Sequence, residues 1–166
     1  MEKALPNKRV VTGLRADGKS TLREVASINA TVFGDGHSDR DSPWVSELWV
    51  VDRVPANEIA DGPMSWEYQL EPPHGGALFR IAHIPPDPAA GSNGEPELRF
   101  GMHKTDSVDL LVILSGRIRL VMEDGEVELG PGDTVVQQAT RHAWWNPGPE
   151  PCVMCAVLIS ARAPAG

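Results

Sequence analysis

Hydrophobic and polar residues alternate along much of the second half of the chain, with the period of two that is typical of a half-buried β-strand. Within residues 117–123, Ile118, Leu120 and Met122 share one face of a predicted strand, and arginines occupy the other face. Turn-forming residues separate the short runs at Ser115-Gly116, Asp124-Gly125, 130–133 and 146–148. No amphipathic helical period competes with this pattern. The chain is therefore predicted to be all-β, a sandwich or a barrel.

Two runs depart from simple alternation and are apolar on both faces, residues 109–114 and 153–159. A strand of this kind must be covered on both sides. One face would line the barrel, and the other needs either the N-terminal hairpin or a second subunit. We therefore predict a homodimer.

The N-terminal part of the chain predicts a β-hairpin followed by irregular connections. Strands over Lys8–Leu14 and Ser20–Ser27 flank Asp17-Gly18, a strong turn signal. We expect residues 1–76 to form strands and loops that pack on the barrel or on a partner subunit, and residues 77–166 to form the barrel. The further assignments are strands over 46–52 and Ala77–Ile84, loops over 34–44 and 85–98, and largely irregular chain over 55–76.

Composition and charge narrow the classes of function. The 166 residues are enough for one domain with extensions, and 41% of them are hydrophobic. A net charge of −8 repels phosphate backbones, so we expect no nucleic-acid partner. No apolar run is long enough to span a membrane, and the N-terminus lacks an apolar targeting segment. We predict a cytoplasmic protein without membrane contact.

The two cysteines, Cys152 and Cys155, form a Cys-x-x-Cys spacing inside an apolar run. In a strand these positions point to opposite faces, so the two thiols are badly placed for a disulfide. We interpret them as small packed residues rather than as a redox pair.

Two segments carry residues suited to chemistry. The first contains His103, Thr105 and Asp109, followed by Gly116; the second begins with the Gly-Asp turn at 132–133 and contains His142, Trp144 and Asn146. Residues 103, 105 and 109 share parity, as do 142, 144 and 146, so each set would face one way in a regular strand. If both faces point into the barrel, His103, Asp109 and His142 converge in a cavity with apolar walls.

These segments resemble the paired motifs of the cupin superfamily. The chain departs from the family pattern at three places, with Thr105 at the position of the second histidine, Asp109 in place of glutamate, and 137–139 (Gln-Gln-Ala) in place of Pro-x-Gly. The resemblance covers roughly the C-terminal half of the chain. It implies a cupin jelly-roll barrel, or double-stranded β-helix, here with an N-terminal hairpin extension.

The resemblance also implies a ligand set. His103, Asp109 and His142 would hold a divalent transition metal (Fe, Mn, Ni or Zn), or would line a metal-free cup. Two histidines and one carboxylate with open positions suit such ions. Thr105 is a poor transition-metal ligand, and Asp109 is one methylene shorter than glutamate, so the metal-free alternative stays open.

The predicted function is a cupin-type enzyme acting on a small organic molecule, as an oxygenase, isomerase, dehydratase or cyclase. His103, His142 and Asp109 are the predicted catalytic residues. Without metal, one histidine would act as general acid or base, oriented by Asp109. Thr105, Trp144 and Gln137 would bind substrate, and the loop at 85–98 would act as a lid. His83 is a weaker candidate for the cavity wall, and the alternative function is a non-catalytic cupin that binds a small ligand.

Overall fold

The described part of the chain is built of β-strands joined by turns, without a helix. The computed structural model describes residues 8–28, 31–32, 42–56, 70–87, 98 and 100–162. Its strands are β1 (Lys8–Leu14), β2 (Ser20–Ser27), β3 (Thr31–Val32), β4 (Trp44–Val51), β5 (Ala77–Ile84), β6 (Ser107–Ser115), β7 (Ile118–Met122), β8 (Gly125–Leu129), β9 (Thr134–Gln138), β10 (His142–Trp145) and β11 (Cys152–Ser160). The prediction of an all-β protein is confirmed, and the predicted strand at 46–52 begins two residues earlier, at Trp44.

The strands form two sheets and a separate hairpin. The larger sheet has the order β3-β4-β5-β11-β6-β9, and the smaller has the order β10-β7-β8. Every pairing is antiparallel, including the predicted hairpin of β1 and β2. Because β4 pairs with β5, residues of the N-terminal segment belong to the same sheet as the barrel strands. The division of the chain at residue 77 stays a prediction.

The core lies between the inward faces of the two sheets. Along β11 the positions 152, 154, 156 and 158 are buried and alternate with half-exposed positions. Leu111 and Ile113 on β6 meet Ile118 and Leu120 on β7 in the same cluster. Burying each of these large side chains contributes about 1.5–3 kcal/mol relative to exposure. The hydrophobic alternation along the sequence therefore decides which face of each strand builds the core.

The outward face of the larger sheet is apolar and open to solvent in the single chain. We call Phe79, Leu110, Leu114 and Val136 the outer apolar patch; they are 39%, 44%, 49% and 60% exposed. This patch includes the second apolar face of β6, which is predicted to pack against either the N-terminal hairpin or a second subunit.

Turn residues position the strands that carry the candidate site. Gly116 joins β6 to β7 with a φ of +73°, and a Cβ there would overlap the carbonyl oxygen of Pro151. Only glycine tolerates both conditions. Asp133 accepts a hydrogen bond from the Gly130 amide at 2.8 Å, which stabilises the predicted Gly-Asp turn before β9.

The cysteines occupy opposite faces of β11, as predicted. Cys152 is fully buried, Cys155 is half-buried, and both are free thiols. Burial raises the pKa of Cys152 to about 12, so this thiol is unreactive at neutral pH. None of the described segments forms a helix that is long and apolar enough to cross a membrane.

Candidate functional site

His103 and His142 come together through a short antiparallel bridge. Each backbone amide donates to the other residue's carbonyl at 2.9 Å. The imidazole rings lie with their centroids 4.4 Å apart, tilted by 55°. The bridge thus joins the two sequence motifs at the start of β10, which begins at His142. The predicted convergence of these two histidines is what the structure shows.

Backbone carbonyls orient both imidazoles. Nδ1 of His103 lies 3.2 Å from the carbonyl oxygen of Gly101, and Nδ1 of His142 lies 3.0 Å from that of Thr140. A carbonyl can only accept, so Nδ1 carries the hydrogen in each ring and Nε2 carries the lone pair when the ring is neutral. The expectation that Asp109 orients a histidine is wrong for the Nδ1 atoms, because local carbonyls hold them.

Asp109 is tied to its own strand by hydroxyl groups. Its Oδ1 lies 2.5 Å from Ser107 Oγ, which is also 2.9 Å from Thr105 Oγ1. When the carboxylate is ionised it only accepts, so the single Ser107 hydrogen goes to Asp109 and Ser107 accepts from Thr105. All three side chains are buried. Thr105, at the position of the missing histidine, therefore belongs to a hydroxyl chain that ends on the carboxylate.

Burial shifts the pKa values of Asp109 and His142 in the directions that favour their neutral forms. It raises the pKa of Asp109, against the hydrogen bond from Ser107 and the positive charges of Arg80 and His103. It lowers the pKa of His142, against its hydrogen bond to Thr140, and a charge on His103 lowers that pKa further. His142 is consequently a neutral base at pH 7.

A cavity of about 350 Å³ opens beside these residues. Its polar lining includes His83, His103, Thr105, Asp109 and His142, together with Arg80. Its apolar lining includes Trp44, Phe100, Leu111, Trp144, Met154 and Leu158. A few convergent polar groups in a mainly apolar pocket are the usual composition of a small-molecule site.

Other predicted residues take different positions. Thr105 and Trp144 line the cavity, as expected for substrate contacts. Gln137 is buried and is not among the described residues that line the cavity; its amide donates to the carbonyl of Thr140 at 3.0 Å and to the Thr140 hydroxyl. It thereby supports the turn that precedes His142, and its substrate-binding role stays a prediction. The proposed lid at 85–98 lies mostly outside the described residues.

Asn146 serves the backbone rather than the cavity. Its side-chain amide donates to the carbonyls of Ile84 and Glu150 at 2.9 and 3.0 Å, and its oxygen accepts from the Gly148 amide at 2.8 Å. Asn146 is 1% exposed. It holds the end of β5 to the turn between β10 and β11.

The strands β4 and β5 contribute residues that the sequence motifs do not contain. Trp44 and His83 stack with centroids 5.0 Å apart and planes 6° apart, and both line the cavity. Neither Trp44 nor Arg80, which also lines the cavity, was among the predicted site residues. The sequence signal that could have identified Arg80 is its parity, because Arg80 is two residues from Leu78 and lies on the same inward face of β5.

The fit of the site to a metal is incomplete. Both histidines have the tautomer that a metal ligand needs, held by a backbone carbonyl as in known metal sites. Asp109, however, is engaged by Ser107. Within the described ranges, no group of three His, Cys, Asp or Glu side chains is close enough together to hold a metal ion. Asp109 lines the same cavity as both histidines, and the three-residue ligand set stays a prediction.

Comparison with known proteins identifies the class. Residues 93–159 match the family model of the cupin domain (Cupin_2). The chain also resembles a predicted oxalate decarboxylase from Thermotoga maritima, with a TM-score of 0.51 and 17% identity, over 80% of this chain and 93% of that one. At that identity the likeness concerns the fold alone. Together with the paired sheets, these matches show an all-β cupin fold, and residues 93–159 are the part of the chain that the cupin-domain model covers.

The relatives that the chain resembles include a biosynthesis cluster protein and an oxidoreductase. The chain is 40% identical over 73 residues to phomopsin biosynthesis cluster protein C' of Diaporthe leptostromiformis, which is 43% of this chain and 33% of the relative. It is 24% identical over 144 residues to the cupin-domain-containing oxidoreductase virC of Hypocrea virens, which is 83% of this chain and 66% of the relative. The chain thus spans about a third of the first relative's length and just under two thirds of the second's.

Proposed function

We propose that this protein is a cupin-type enzyme that acts on a small organic molecule, with His103 and His142 as the proton-transferring groups. The observation that carries the proposal is the pair of imidazoles, with centroids 4.4 Å apart, on the wall of a mainly apolar cavity. Similarity to a cupin-domain-containing oxidoreductase from a fungus supports an enzymatic role. The reaction belongs to one of the classes that cupins catalyse on small molecules, as an oxygenase, isomerase, dehydratase or cyclase.

The chemistry of the pair follows from its geometry. The Nε2 lone pair of neutral His142 accepts a proton from the substrate, and the carbonyl of Thr140 keeps the ring oriented through Nδ1. A charge on His103 lowers the pKa of His142 further, which favours His142 as the base of the pair. Thr105 and Trp144 border the same cavity and contact the substrate.

The test uses small-molecule extracts of the source cells. Extracts are incubated with wild type, with His142→Ala and with His74→Ala, a matched control at an exposed histidine. Liquid chromatography–mass spectrometry then records which masses are consumed and which appear. We expect the same conversion with wild type and His74→Ala, and none with His142→Ala. Conversion that survives in His142→Ala would refute the assignment.

The second candidate function is non-catalytic binding of a small ligand in the same cavity. The observation that favours it is that no three His, Cys, Asp or Glu side chains of the described residues lie close enough together to hold a metal ion, and such a cavity can bind a ligand without metal chemistry. Native mass spectrometry distinguishes the two functions. A ligand that remains bound and is recovered with unchanged mass after long incubation supports binding alone.

A bound divalent metal is a further part of the proposal that needs its own test. His103 and His142 would supply two nitrogen ligands, but Asp109 is held by Ser107, so we derive no step through a metal. Elemental analysis of tag-free wild type and His103→Ala decides the question. Near-stoichiometric Fe, Mn, Ni or Zn in wild type, lost in the variant, would establish a metallocupin.

We also propose that the protein is a homodimer through the outer apolar patch. Leu110 and Leu114 on β6 and Val136 on β9 form a continuous apolar surface, because Leu110 pairs directly with Val136. Light scattering at micromolar concentration should give twice the chain mass for wild type and a single chain mass for Leu110→Lys/Val136→Lys. A monomeric wild type would contradict this proposal.

A further inference from the structure

The histidine end of the cavity presents hydrogen-bond acceptors. Nδ1 of His103 and Nδ1 of His142 each lie against a backbone carbonyl, at 3.2 and 3.0 Å, so each ring hydrogen is engaged there. Within the part of the chain that the structure describes, no group bonds to Nε2 of either ring, and both rings line the cavity. A neutral imidazole with its hydrogen on Nδ1 offers only a lone pair at Nε2. The pair therefore offers two acceptors, on rings whose centroids lie 4.4 Å apart.

The polar side chains next to the histidines are acceptors as well. When Asp109 is ionised, Ser107 donates its hydrogen to the carboxylate and accepts from Thr105, with the oxygens 2.5 and 2.9 Å apart. Thr105 thus uses its only hydrogen inside this chain of hydroxyl groups, and a lone pair remains on its oxygen. Thr105 and Asp109 line the same cavity as the histidines. A polar ligand group at this end must donate hydrogen bonds, because a buried acceptor placed opposite another acceptor is left unsatisfied.

Charged ligands are poorly matched to this arrangement. An anion meets repulsion from the Asp109 carboxylate, and the cation in the lining, Arg80, is engaged by Glu47, with Nη2 2.8 Å from Oε1 and Nε 3.3 Å from Oε2. A cation would lose its water in a mainly apolar cavity, beside the charge of Arg80. The donor groups of the ligand are therefore neutral. A phenolic hydroxyl, with an ordinary pKa of about 10, is a neutral donor that can also give its proton to His142.

Aromatic side chains form part of the apolar wall beside the histidines. Trp144 meets His142 edge-on, with centroids 5.9 Å apart and planes at 79°. Trp44 stacks on His83 with centroids 5.0 Å apart, and both line the cavity. Phe100 lines the cavity and is 43% exposed, so its ring gains an apolar contact when a ligand fills the space. Aromatic rings attract one another in offset and edge-to-face arrangements, so this wall favours a ligand that is itself aromatic.

We propose that the substrate is a neutral aromatic diol, whose two neighbouring hydroxyl groups donate to Nε2 of His103 and Nε2 of His142 while its ring lies against the aromatic wall. This inference rests on the proposed function and names its substrate class. Two hydroxyl groups on adjacent ring carbons match two acceptors on imidazoles whose centroids lie 4.4 Å apart. The hydroxyl group bound to His142 gives up its proton: its O–H bond breaks as the Nε2–H bond forms, and the electron pair stays on the phenolate oxygen.

The experiment compares a diol with compounds that have the same ring system and fewer donors. Isothermal titration calorimetry at pH 7.5 under nitrogen measures the binding of 2,3-dihydroxynaphthalene, 2-naphthol, 2,3-dimethoxynaphthalene and 2-naphthoate. The proteins are wild type, His103→Phe and Met154→Leu. His103→Phe keeps an aromatic ring but removes one acceptor, whereas Met154→Leu is the matched control, a change of similar volume in the apolar wall of the same cavity. Circular dichroism verifies that each variant folds; if His103→Phe does not, the order of the four probes in wild type decides by itself.

Wild type and Met154→Leu should bind the diol more tightly than the dimethyl ether by roughly tenfold or more, with 2-naphthol between them and 2-naphthoate weaker than the diol. His103→Phe should bind the diol and 2-naphthol with similar affinity, because one acceptor remains.

Three results would overturn the inference. They are equal affinity of wild type for the diol and its ether, tighter binding of 2-naphthoate than of the diol, and an undiminished preference for the diol over 2-naphthol in His103→Phe. Binding of none of the probes would overturn it as well. The proposed function fails on a different result, conversion of extract components that survives in His142→Ala, so the failure of one is distinguished from the failure of the other.

Discussion

Replacing Asn146 with alanine should destabilise the barrel without touching the cavity wall directly. The side chain makes three hydrogen bonds to backbone groups, and the one to the Ile84 carbonyl is fully buried. A hydrogen bond contributes about 1 kcal/mol net, and a buried group left without its partner costs about 1–3 kcal/mol. Asn146→Ala should therefore lower the free energy of unfolding by about 3 kcal/mol. For a chain of this size that corresponds to a fall in Tm of roughly 6–12 °C.

Urea unfolding followed by tryptophan fluorescence measures this loss, with Gln138→Ala as the control. Gln138 is an exposed amide on β9, and its truncation should change stability by less than about 0.5 kcal/mol. Asn146→Asp separates hydrogen bonding from shape, because it keeps the acceptor for Gly148 and turns a carboxylate oxygen toward two carbonyls. It should be at least as destabilising as alanine. A loss below about 1 kcal/mol in Asn146→Ala would refute the reasoning.

Three further predictions concern stability and reactivity. Burial raises the pKa of Asp109 because it penalises the ionised carboxylate in the folded state alone, so at pH 8 Asp109→Asn should be more stable than wild type in urea. This gain in the free energy of unfolding should vanish as the pH falls through the raised pKa to below 3.8, where Asp109 is protonated in the folded and unfolded states. A difference that does not change with pH would contradict this prediction. In native protein at pH 7.5, iodoacetamide should leave Cys152 unmodified over a time in which urea-unfolded protein reacts at both Cys152 and Cys155, as read by peptide mass spectrometry. Gly116→Ala should lower Tm strongly because of its positive φ and a carbonyl overlap, whereas Gly125→Ala, with open space at its Cβ, should not; equal Tm values would refute the strain.

Local pattern determined most of the barrel and half of the site. Alternation and turn residues predicted short strands separated by turns over the part of the chain that forms β6 to β11, because an antiparallel strand with one buried face imposes a period of two on its own sequence; the break between β9 and β10 was not predicted. The parity of the two motifs also predicted that His103 and His142 lie close together, since each histidine would face the barrel interior from its own strand. The cysteines on opposite faces of β11 followed from the same parity.

Only the tertiary structure decided what surrounds the histidines. Arg80 and Glu47 become partners because β4 and β5 pair across a long connection, and no local period encodes that register. The carbonyls that orient the two imidazoles belong to turns whose course depends on the assembled barrel. Asn146 shares parity with His142 and yet faces the backbone, because the chain leaves the strand after Trp145. Sequence periodicity specifies which face a side chain takes within its own strand, whereas the contacts between distant strands arise only when the sheets close.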